Sequence, residues 1–187
     1  MAVLNGVRTV AIVNKRDRGG KEMERPMTCS LRESLHLVSD PRNLDASVEE
    51  VFQTMLGVRC QIDPSPIEIE SEQVTAVVGF GGLLSGACVF KTGGTAALKI
   101  ATCMTGMEFA SIDDTVKDAI GEICNMLAGA WKGRVPDLSA NCGLSVPAVI
   151  TGRDYKLHVQ APEFQLNHNF QFDGASFSVS IVCDGIQ

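Results

Sequence analysis

Apolar residues Leu44, Val48, Val51 and Met55 recur every three or four positions, which predicts a helix from Leu44 with Asn43 capping its start and Gly57 its end. Two runs then alternate with period two: Val74, Ala76, Val78 and Phe80, followed by Leu84, Gly86, Cys88 and Phe90. Gly81 and Gly82 separate them, so a hairpin is expected, preceded by a short strand at Ile67–Ile69. The Ala-rich stretch after Gly93-Gly94 predicts a second helix over 95–105 that stops near Gly106. Asp113 and Asp114 open the longest periodic segment, from Val116 to about Trp131, ended by Gly133 and Pro136.

The remainder reads as strands at 144–152, 155–160, 165–172 and 176–183, with Asp173-Gly174 as the turn between the last two. Sequential strands with short turns favour antiparallel pairing. The fold class expected is therefore α+β, an antiparallel sheet with two long helices packed across one face.

At 187 residues and 45% hydrophobic content the chain suits a single core. Residues 41–187 are expected to form that one domain, with 1–40 an N-terminal leader, poorly ordered or accessory, in which 7–13 is a possible first strand. Net charge is −6, unevenly spread: residues 1–43 hold eight Lys/Arg against five Asp/Glu, and residues 44–187 hold eight against seventeen. An acidic folded part repels nucleic-acid phosphates and anionic lipid. No run approaches the ~20 apolar residues of a membrane span, and the apolar run at 7–13 precedes its basic residues, the reverse of a signal peptide. These features, with seven cysteines lacking any Cys-x-x-Cys pair, fit a cytoplasmic protein whose thiols are buried small hydrophobes. Only three histidines are present and none stands at ligand spacing, so no metal or cofactor of the chain's own is expected.

Glycine-rich GFGG (79–82) and KTGGT (91–95) lack the spacing of phosphate-binding loops and read as turns. His158 and His168 have no neighbouring nucleophile motif, which argues against a histidine-based hydrolase. The long helix is more informative. Val116, Ile120, Ile123, Cys124, Leu127 and Trp131 make an apolar face. Asp118, Glu122, Asn125, Gly129 and Lys132 follow the same spacing on the other side and face outward. Gly121 and Gly129 are poor helix formers, costing ~1 kcal/mol each relative to Ala, and their small size suits close approach by a partner. Lys132 reads first as a solvated helix-end cation favoured by the dipole, and only second as a residue steering an acidic partner.

Glu-x-x-Asn alone is common on solvated helices. Combined as Asp118-x3-Glu122-x2-Asn125, with twenty-one residues to Pro147 in SVPAVITG, it resembles the CheC/CheX family of chemotaxis phosphatases over residues 44–187. The gap to Pro147 is one residue shorter than the family's usual one. The resemblance implies hydrolysis of the aspartyl phosphate of a CheY-type response regulator. It implies further that Asn125 orients the attacking water, that Glu122 pairs with the receiver's active-site Lys, and that Mg2+ belongs to the receiver. On the same resemblance Asp118, Gly121, Gly129 and Lys132 are expected to join the docking surface, and the protein to pair as a homodimer. Asn has no useful pKa and so cannot act as a general base. The alternatives are a non-catalytic CheC-like module binding a receiver, flagellar or chemoreceptor partner, and a helix stripe used for a different partner. The first helix repeats the frame as Asp45-x3-Glu49-x2-Phe52. With Phe in place of the amide, it implies the single site of the CheX type rather than the two of many CheC-type members.

Overall fold

The computed structural model describes residues 36–65, 72–153, 155 and 162–186; the expected strands at 7–13 and 67–69, and all but the first residue of that at 155–160, lie outside them. Helix α1 spans Pro41–Met55, three residues longer at its start than its apolar spacing suggested. Asp40, not Asn43, caps it: its carboxylate accepts from the Arg42 backbone N–H at 3.0 Å, and Pro41 takes the first turn, where no N–H is needed. Asn43 instead donates to the Leu37 carbonyl, and the neighbouring Val38 is buried in the core.

A two-residue strand β1 (Gln61–Ile62) follows, then the hairpin β2 (Gln73–Gly82) and β3 (Leu84–Gly93). Helices α2 (Gly94–Thr105), α3 (Asp114–Gly133) and the short α4 (Pro136–Asn141) come next. The chain closes with β4 (Cys142–Leu144), β5 (Ala148–Gly152), β6 (Phe164–Phe172) and β7 (Ala175–Ile186). All pairings in the seven-stranded sheet are antiparallel, in the order β1-β6-β7-β3-β2-β4, with β5 also on β2. At the β6–β7 turn, Asp173 and Gly174 both have positive φ (45° and 70°), matching the right-handed twist of a tight hairpin.

One face of the sheet carries Val74, Ala76, Val78, Phe80, Cys88, Phe90, Phe177, Val179 and Ile181, and α1, α2 and α3 bury their apolar stripes against it in one continuous core. The helices thus share a face, as expected, with α2 joining the two longer ones. Toward β6 and β7 the core is aromatic: Phe52 of α1 stacks on Phe177 at 4.4 Å and 3°, and meets Phe172 edge-on at 5.5 Å. Arg134, just past α3, ties the two long helices together. Its guanidinium donates to Ser47 Oγ (3.0 Å), the Ala46 carbonyl (3.1 Å) and Glu50 Oε2 (2.6 Å).

Candidate active site

Helix α3 begins at a well-made cap. The Asp113 carboxylate accepts from the Val116 N–H at 2.9 Å, and Asp114, also in the first turn, pairs with Lys117 at 2.9 Å. The Lys117 ammonium holds the Asp114 carboxyl below its ordinary value. From there Val116, Ile120, Ile123, Leu127 and Trp131 are buried with Ala119, Cys124 and Ala128. Cys124 lies in the turn between Glu122 and Asn125, and its thiol donates toward the carbonyls of Ala76 (3.5 Å) and Cys88 (3.6 Å). That turn is thereby fastened to β2 and β3. Hydrogen bonding with Cys124, together with burial, pushes the Cys88 thiol well up, so the Cys88 sulfur remains a protonated packing group.

On the opposite side Asp118 and Glu122 are exposed, and Asn125 and Gly129 are partly exposed. Glu122 and Asn125, three residues apart in a continuous helix, are surface neighbours. Among the described residues neither side chain makes a hydrogen bond or an ion pair. A carboxylate and a carboxamide are held on a rigid element with their polar ends uncommitted.

The other stripe residues separate. Gly129 has open space where a side chain would stand. Gly121 is buried: a Cβ there would meet Pro147 Cβ and Val149 Cγ2, each at 3.3 Å, so its smallness admits β5 and the residue before it. Lys132 turns back into the protein, its ammonium donating to the Cys142 carbonyl at 2.5 Å and the Ser139 carbonyl at 3.2 Å, where it closes the end of α4. Pro147, met in the sequence only as the far end of a motif, is thus in contact with α3 one residue before Glu122.

The matching frame on α1 is arranged differently. Phe52 is fully buried in the aromatic cluster, and Asp45 pairs with His168 Nδ1 at 2.5 Å. The position equivalent to Asn125 faces the core, so α1 offers no second exposed pair.

The fold and this stripe define a class of protein whose polar chemistry sits on an outward helix face. The family described as "Chemotaxis phosphatase CheX" matches residues 74–170. A CheY-P phosphatase CheX from Thermotoga maritima is 32% identical over 127 residues, covering 63% of this chain and 81% of that protein. The fold is shared with the chemotaxis protein CheX of Vibrio vulnificus, at a TM-score of 0.66 and 20% identity over 78% of this chain and 97% of that one. It is shared also with the CheX–CheY–BeF3–Mg2+ complex from Borrelia burgdorferi, at a TM-score of 0.60 and 19% identity over 77% and 97%. The chain belongs to the chemotaxis phosphatase CheX family.

Proposed function

We infer that this protein hydrolyses the aspartyl phosphate of a CheY-type response regulator, with Glu122 and Asn125 as the working pair. The observation that carries the reading is the uncommitted carboxylate–amide pair on an exposed face of α3, in a chain 32% identical to a CheY-P phosphatase. The Asn125 amide holds a water in line with the phosphorus. The water's oxygen bonds to phosphorus as the acyl-phosphate P–O bond breaks, leaving inorganic phosphate and a free receiver carboxylate. Phosphoryl transfer is governed by positioning and charge neutralisation, and a carboxamide supplies positioning without changing its own charge. Glu122 engages the receiver's active-site Lys. The divalent cation is the receiver's, consistent with the Mg2+ named in the Borrelia burgdorferi complex. Asp118 and Gly129 extend the docking surface. The protein acts in the cytoplasm as a homodimer, and no helix among the described residues is long and apolar enough to cross a membrane.

Decay of a phosphorylated receiver, followed with and without the protein, tests the reading. Asn125→Ala is expected to reduce turnover by about a hundredfold or more, as loss of a positioned polar group does, while stability moves within about 0.5 kcal/mol, as at other exposed helix sites. Glu122→Ala is expected mainly to weaken receiver binding. Unchanged decay with every receiver of the organism would instead assign the stripe to docking without turnover.

A further inference from the structure

The outer edge of β2 is covered by two short strands in different registers. β4 aligns Leu144 with Phe80, and β5 aligns Ala148 with Val77. Between these pairs β2 has two residues, Val78 and Gly79, whereas the covering strand has three, Ser145, Val146 and Pro147. One residue too many on an edge is a β-bulge, a device that re-aims side chains beside functional sites.

The bulge is built with care. The Ser145 N–H donates to the Gly79 carbonyl at 2.9 Å, and the Gly79 N–H donates to Ser145 Oγ at 2.8 Å. A side-chain hydroxyl here takes the place of a backbone carbonyl in the ladder. Pro147, which has no N–H to leave unpaired, is turned onto α3 at Gly121, one residue before Glu122. Val146, between them, is 85% exposed, the most exposed large apolar side chain among the described residues. A valine held in water on a hydrogen-bonded backbone has a single side-chain torsion to lose when a partner covers it, and gains the apolar transfer free energy.

We propose that Val146, presented by the bulge that Ser145 anchors on Gly79 and Pro147 seats on Gly121, is an apolar contact of the receiver-docking surface beside Glu122 and Asn125 and helps decide which receiver is accepted. The occupant is the phosphorylated receiver, because the bulge is continuous through Pro147 and Gly121 with the helix turn that carries Glu122. This inference rests on the receiver-phosphatase reading above. Ser145 acts as a positioning residue.

The test measures binding of the full chain to a CheY-type receiver loaded with beryllofluoride and Mg2+, together with KM and kcat on the phosphorylated receiver. Val146→Asp is expected to weaken binding and raise KM by about tenfold, and Val146→Ala by a few-fold, the range of an interface contact; kcat at saturation and the melting temperature should hold. Ser145→Ala is expected to weaken binding and Ser145→Thr to restore it. A melting temperature lowered by Ser145→Ala with an unchanged Kd would overturn the positioning role. An unchanged Kd in Val146→Asp, alongside lost turnover in Asn125→Ala, would overturn this inference alone. A wild-type chain with no affinity for the loaded receiver would overturn the underlying reading as well.

Discussion

Two glycines on α3 have opposite neighbourhoods, and substitution should separate them. At Gly129 an added methyl enters open space, so Gly129→Ala is expected to stabilise the helix by about 0.5–1 kcal/mol. At Gly121 the same methyl meets Pro147 and Val149 at 3.3 Å, so the gain in helix propensity is offset by displacement of the bulge. Urea denaturation of the two variants should show a raised midpoint for the first and no gain for the second. If Gly129 is open for a docking partner, Gly129→Ala will also raise KM while folding more stably. No other explanation of that glycine predicts both signs together.

At the scale of elements, α1 and α3 share an Asp-x3-Glu-x2 frame yet serve different ends. Phe52 stacks on Phe177 of β7 and is fully buried, so Phe52→Asn cannot create a second site. It should cost at least the about 3–5 kcal/mol of truncating a buried Phe, a large share of the about 5–15 kcal/mol that holds a typical domain, and circular dichroism should show a lowered melting temperature. The elements themselves were legible wherever one face is buried along their whole length: α3, the β2–β3 hairpin and the Asp173-Gly174 turn follow directly from periodicity and turn chemistry. The start of α1 was not, because Asp40-Pro41 and Asn43 are both competent start signals and only the Leu37 carbonyl decides what Asn43 binds. The break between β4 and β5 was hidden because Leu144-Ser145-Val146-Pro147 alternates like an uninterrupted strand, and the extra residue exists only relative to β2. Glu122 and Asn125 were readable as an exposed stripe; the burial of Gly121 and the inward turn of Lys132 depend on tertiary neighbours that helical spacing does not encode.

For the molecule as a whole, thiol chemistry reports on packing. Six cysteines among the described residues are free, and of these only Cys103 is exposed. Burial, reinforced by the charge of Glu49, pushes the Cys60 thiol up to about 12, so almost none is thiolate near pH 8. Iodoacetamide at that pH is expected to label Cys103 first among the six. Cys88, Cys124, Cys142 and Cys183 should react only when the core opens, and mass spectrometry of the native and urea-treated protein would read both phases. The same whole-molecule view changes the meaning of Lys132. Its ammonium is held at the carbonyls of Ser139 and Cys142, and the exposed charges of the stripe beside Asn125 are the carboxylates of Asp118 and Glu122. If the stripe docks a receiver, as proposed above, its carboxylates favour one that carries a lysine and a bound divalent ion over one whose acidic pocket stands empty of metal.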